Sequence, residues 1–146
     1  PVEEVFGRDY LAKAQKKKAE MLESSVFLNN ANGTFTAMKL PEEAQFSVVR
    51  DITLTDLEQD GINEIIVAGN LFRVRPSYGR FDASYGWVLK GSPGPGFRAM
   101  YPAESGLRIS GDARKLLKVT ISGEPCIVAA VNDGNIQVFR IAGRRK

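Results

Sequence analysis

Histidine is absent from all 146 residues, and cysteine occurs once, as Cys126. Without histidine there is no Ser-His-Asp or Cys-His triad, no imidazole metal ligand and no usual general base for neutral-pH chemistry. A lone cysteine makes neither an internal disulfide nor a cysteine-based zinc site. Cys126 opens the apolar run CIVAAV, which marks a buried structural thiol rather than a nucleophile. No apolar run approaches the roughly 18–20 residues of a membrane helix. Nucleophile elbows and phosphate loops are missing too, so a binding or scaffold role is expected rather than an enzyme. No charged-then-apolar leader follows Pro1, and the chain reads as a piece of a longer, processed protein.

What is present describes one ordinary globular domain: 43% hydrophobic and 25% charged residues, with apolar residues spread along nearly the whole length. The net charge of +3 is unevenly placed. Residues 1–24 carry five basic and five acidic groups, 25–100 seven and eight, and 101–146 eight and four. Arg144, Arg145 and Lys146 supply three of the excess charges, which makes a basic tail over 142–146. A terminal basic cluster is more simply solvated chain than a nucleic-acid contact.

Residues 8–23 (RDYLAKAQKKKAEMLE) have a helical composition, with Asp9 as N-cap and only a thin apolar stripe at Leu11, Ala14, Met21 and Leu22. Lys16, Lys17 and Lys18 form a solvated face of it. After Ser25 the texture changes to short β-type runs divided by turns. VFLNNANGTFTAMKL (26–40) predicts a hairpin turning at Asn32-Gly33. FSVVRDITLTDL (46–57) alternates Val49, Ile52 and Leu54 with polar positions, and NEIIVAGN (63–70) is a denser, buried strand. Further strands are expected at 84–90, 97–100, 115–121, 126–131 and 135–141, with turns at SPGPG (92–96) and NDG (132–134). The fold class is therefore all-β and antiparallel, with one N-terminal helix over 1–24. The elements of 46–100 recur in part over 113–141, and 26–38 resembles the last two strands of a preceding unit. Four-stranded units of this period are propeller-blade-like, so 25–141 holds a partial propeller of about two blades. An open arc would leave faces bare at residues such as Ile65, Val67, Ile127 and Val128. The remaining blades of a larger propeller, the 26–38 hairpin pairing with the 113–141 sheet, or further copies of the chain in a homo-oligomer would cover them.

The sharpest motif is DLEQDGINE over 56–64. Acidic side chains at Asp56, Glu58, Asp60 and Glu64 stand at positions 1, 3, 5 and 9, with Gly61 at position 6. Alternate residues of an extended chain point the same way, so the first three converge as the loop curls. Gly61 permits the reversal, the carbonyl of Ile62 turns inward, and Glu64 closes the cage. An oxygen-only, anionic set of this kind suits a hard cation, Ca²⁺ before Mg²⁺. Position 12 is Val67, within a strand, which excludes an EF-hand.

DLEQDGINEIIVAGN is similar to the calcium loop of FG-GAP/VCBS-type repeats, whose pattern is D-x-D-x-D-G-x-x-D before an apolar strand. Together with VFLNNANGTFTAMKLPEEAQFS and GRFDASYGWVLKG, it resembles the C-terminal part of bacterial VCBS-repeat proteins related to the UnbV/ASPIC group. The resemblance spans about Ser25 to Ile141, and Glu58 and Glu64 stand where the pattern has aspartate. It implies a β-propeller lineage and a non-enzymatic, extracytoplasmic (secreted, periplasmic or cell-surface) binding role using Ca²⁺.

A second constellation lies in NLFRVRPSYGRFDASYG (70–86) and the tryptophan after it. Arg73, Arg75, Tyr78, Arg80, Tyr85 and Trp87 are residue types that dominate binding hot spots, and a protein or glycan partner is expected there. The same residues equally suit a long loop packed on a neighbouring unit. Two other readings stand beside the binding module: RNA or anionic-polymer binding through the basic last third, and an accessory domain of a carbohydrate-processing or phosphoryl-transfer enzyme with an open metal position in a deep pocket.

Overall fold

The computed structural model describes residues 1–91, 94 and 96–142. The chain forms nine strands: β1 (Ser25–Asn29), β2 (Phe35–Lys39), β3 (Val49–Thr55), β4 (Glu64–Gly69), β5 (Trp87–Gly91), β6 (Phe97–Met100), β7 (Asp112–Ile121), β8 (Glu124–Asn132) and β9 (Gln137–Arg140). Short helices occur at α1 (Val2–Phe6), α2 (Arg8–Lys13) and α3 (Pro102–Ser105), with a 3-10 turn at Glu42–Gln45. The architecture is mainly antiparallel β, as the strand pattern predicts. Every strand pairs with its neighbour in sequence, giving a hairpin (β1-β2), a central sheet (β3-β4-β5-β6) and an outer sheet (β7-β8-β9). No sheet closes on itself among the described residues.

The helix expected over 8–23 is only α2, and Asp9 does not cap it; Gly7 holds the N-cap position and no side chain caps the end. Ala14 already has an extended backbone, φ −77° and ψ 135°. The physical reason is the thin apolar stripe. Apart from half-buried Leu11, residues 1–23 are exposed, so no tertiary surface offsets the cost of ordering an isolated helix, and three adjacent lysines repel. The hairpin forms where expected, but over a longer loop. Ala31 (φ 59°) and Gly33 (φ 82°) take the left-handed positions, while the Asn32 carboxamide oxygen accepts from the Thr34 amide at 3.0 Å. Ser92, Pro93 and Pro95 of the SPGPG turn, and residues 143–146 of the basic tail, lie outside the described residues.

The central sheet is covered on both faces. Ile66, Ala68 and Val88 pack with Leu116, Ile127 and Ala129 of the outer sheet, joined by Leu107 and Ile109. Ile65, Val67, Trp87, Leu89 and Ala99 enter a second core with Leu40, Ala44 and the hairpin residue Val26. All six residues of β4 are consequently buried, and the expected bare faces at Ile65, Val67 and Ile127 do not occur. Of the four expected positions only Val128 is half-buried rather than buried, and it sits in a barer row. Leu117, Val128 and Val138 are in register across the outer sheet, with Leu117 and Val138 about half exposed at 49% and 52%. Because the outer sheet has three strands against four, an apolar cleft of about 630 Å³ opens between the sheets, lined by Met100, Leu107, Phe139 and Ile141.

The alternation in β3 is inverted relative to the expectation. Ile52 and Leu54 are exposed at 52% and 58%, whereas Asp51, Thr53 and Thr55 turn inward. A register shift between Val49 and Asp51 moves the following residues to opposite faces. The inward face lies against β7, where the Asp51 carboxylate accepts from the Leu116 amide at 2.7 Å and from Lys115 Nζ at 3.1 Å.

Candidate functional site

The 56–64 loop joins β3 to β4, and its backbone is organised by its own aspartates. Asp56 accepts from the Asp60 amide at 3.1 Å and from the Gly61 amide at 2.9 Å, using one oxygen for each. Asp60 accepts from the Ile62 amide at 2.9 Å. Gly61 has φ 84° and Gln59, two residues before it, φ 58°, so the chain reverses where the glycine spacing requires it. At the end of the loop Glu64 is 1% exposed, and its Oε2 accepts from the Leu57 amide at 2.8 Å. Its other carboxylate oxygen, Oε1, is buried without a hydrogen-bond partner. So is the hydroxyl of Thr55, the residue directly opposite Glu64 across the β3-β4 pair. Two oxygens that leave water unpaired, on one face and beside a carboxylate loop, are costly and call for a donor or a cation.

Glu58 does not turn toward its loop partners. Its carboxylate is bonded to Lys90 Nζ on β5. Ile62 rests against the same strand, since a Cβ on Gly91 would lie 2.9 Å from its side chain. Further along the same edge, Arg98 grips Glu104 with two bonds, at 2.8 and 2.5 Å, and these hold the Glu104 carboxyl below its ordinary range. As the loop stands, no three acidic, histidine or cysteine side chains converge to hold a metal ion among the described residues. In chemistry the donors suit a hard cation; in position, Glu58 is held aside.

The second constellation is divided. Arg73 crosses to Asp133 in the 132–134 turn at 2.6 Å, and Arg80 stacks over Phe72 at 4.7 Å. Both line a cleft of about 660 Å³ with the polar residues Asp112, Asn132 and Asp133 and the apolar Phe72 and Val131. Arg75 and Tyr78 are exposed nearby in sequence, and Tyr85 lies under the guanidinium of Arg108 at 4.6 Å. Trp87 does not join them. It is 8% exposed in the second core, edge-on to Phe46 and Tyr101 at 6.4 and 5.7 Å. Its place in a strand facing an apolar layer makes it a packing residue.

Two further residues carry this region: Asn70, which in the sequence reads only as the start of a loop, and Asp112, which reads with Arg114 as a surface pair. Asn70 is 2% exposed at φ 139°, a conformation that is strained for a residue with a side chain. Its carboxamide nitrogen donates to the Ser84 and Gly111 carbonyls at 2.8 and 2.9 Å, tying the 70–86 loop to the approach to the outer sheet. Asp112 is 1% exposed, paired with Arg114 at 2.7 Å and left with one unpartnered oxygen. The only signal for Asn70 is a polar residue directly after the apolar run 65–68 and Gly69. For Asp112 it is the acid two residues before an arginine, which reads equally as an ordinary surface pair. Against known proteins, no family model matches the chain, and no curated protein or solved structure matches it either.

Proposed function

We propose that this chain is a non-enzymatic, calcium-binding interaction module of an extracytoplasmic protein built from FG-GAP/VCBS-like repeats. The observation that carries the reading is the buried, unpartnered Oε1 of Glu64 at position 9 of the 56–64 loop, opposite the unpartnered hydroxyl of Thr55. Asp56, Asp60, Glu64 and the Ile62 carbonyl are the groups that would hold Ca²⁺, with Glu58 joining once released from Lys90. A bound cation supplies charge compensation and loop order there, not reaction chemistry. The four-stranded central sheet with a three-stranded meander against it supports a blade-like ancestry. No helix among the described residues is long and apolar enough to cross a membrane.

Partner binding is assigned to the cleft at Arg73 and Arg80, whose paired donors and acceptors suit the hydroxyl-rich surface of a glycan. A glycan array with wild type and Arg80→Ala tests that part; signals unchanged by the substitution would move the partner elsewhere. Thermal melts with Ca²⁺ and with chelator test the metal. Binding only to the native state adds about 2.7 kcal/mol at a hundredfold excess over Kd. The midpoint is expected to rise with Ca²⁺ in wild type and not in Asp60→Ala. Identical midpoints in all four conditions overturn the calcium assignment.

A further inference from the structure

We infer that Lys90 is a built-in rival for a cation at the 56–64 loop: by holding the Glu58 carboxylate on β5, it sets how tightly the loop takes a divalent ion. The inference rests on reading that loop as a cation site and concerns its regulation.

In an extended chain Glu58 faces the same way as Asp56 and Asp60, and its carboxylate belongs with theirs. It is instead bonded to Lys90, 32 residues away. Both side chains are mostly buried, 28% exposed for Lys90 and 25% for Glu58, so solvent and salt screen this pair less than an ordinary surface pair. The extra methylene of glutamate gives the reach. Aspartate at the same position has a shorter arm and would stay nearer the loop.

The surroundings of Lys90 make the release of Glu58 costly. Lys90 and Arg98 are direct partners across the β5-β6 pair, a like-charge juxtaposition that destabilises unless acids offset it. Glu104 serves Arg98, and Glu58 serves Lys90. Two cations and two anions therefore balance. If Glu58 turns to the loop, Lys90 is left beside Arg98 with one acid between two bases. Ile62 rests on Gly91, the next residue of β5, so the order of the loop and the state of Lys90 are read on the same short stretch of strand. Meanwhile the loop without Glu58 keeps the buried, unpartnered Glu64 oxygen, which is the standing demand for a positive charge.

Lys90 thus acts as a positioning residue, not a ligand. Removing its charge is expected to tighten Ca²⁺ binding about tenfold, the size of one hydrogen bond between charged groups. Titration calorimetry with Ca²⁺ alone on wild type, Lys90→Met, Lys90→Arg and the double variant Lys90→Met/Glu58→Gln provides the test. Lys90→Gln serves as the second neutral variant if Lys90→Met melts early without metal. The expected order is tight for either neutral variant, near wild type for Lys90→Arg, and no gain once Glu58 is also removed. A Kd equal to wild type in both neutral variants overturns the role of Lys90 while leaving the cation site standing. A gain that survives removal of Glu58 also overturns it, because the effect would then be general charge. Absence of Ca²⁺ binding in every variant overturns the reading of the loop, and this inference with it.

Discussion

The central and outer sheets follow one plan, an antiparallel meander whose second strand is the most apolar, yet they occupy different environments. In β4, alternate side chains enter two separate cores, and every residue from Glu64 to Gly69 is buried. In β8 the similar run CIVAAV meets one core, through Ile127 and Ala129 with Val131 packed against it, while Val128 and Ala130 stay half-buried on the far side. The difference comes from the neighbours. The hairpin and the 3-10 turn cover one face of the central sheet, whereas Leu117 and Val138 on the far face of the outer sheet stay about half exposed. An apolar strand shows that a sheet wants burial, and the elements before and after it decide on how many sides.

Truncations on the two sheets should separate them sharply. Leu89→Ala, at a side chain with 0% exposure, is expected to cost about 2–5 kcal/mol. Urea unfolding measures it, and a loss below about 1 kcal/mol would mean that the central sheet is not the stability core. Between the sheets, Asp51→Ala is expected to cost about 1–3 kcal/mol, because the Leu116 amide loses its acceptor on a packed face. Burial pushes the Asp51 carboxyl up, but the Leu116 amide and Lys115 outweigh it and hold it below the usual range. Its contribution is thus fully present above the unfolded value, about pH 4, and fades as pH falls through the lower folded value. The gap between wild type and Asp51→Asn should narrow over that acid window; a gap that widens there would contradict the assigned sign. On the bare row, Leu117→Ala is expected to cost less than about 1 kcal/mol, since half of the side chain already meets solvent. A loss as large as that for Leu89 would show that this face is covered in solution.

The strand positions and the loop spacing were readable because both depend on local periodicity. β4 to β9 fall within a few residues of their expected ranges, and Gly61 turns the loop as the motif requires. What escaped depends on distant partners. Ile52 and Leu54 read as the apolar side of an alternating strand, but a one-residue shift and the packing of β7 turn Asp51 inward. The helix over 8–23 had the right composition but no surface to pack on. Trp87 looked like a binding aromatic and became core, because sequence does not show which face of β5 the second core takes. The capture of Glu58 by Lys90 joins residues 32 apart, and no spacing rule links them.

The strictly sequential order of the sheets bears on how the chain folds. Each strand pairs only with its neighbours in sequence, so the sheets form by sequence-local closures, the longest being the 70–86 loop between β4 and β5, and only the docking of one sheet on another brings more remote segments together. Folding is then expected to start as independent meanders that gain their shared core late. Leu116, on the docked face of the outer sheet, should accordingly show its truncation mainly as faster unfolding, with the refolding arm of the chevron little changed. A refolding rate that falls by the full equilibrium loss would instead place sheet docking in the rate-limiting nucleus.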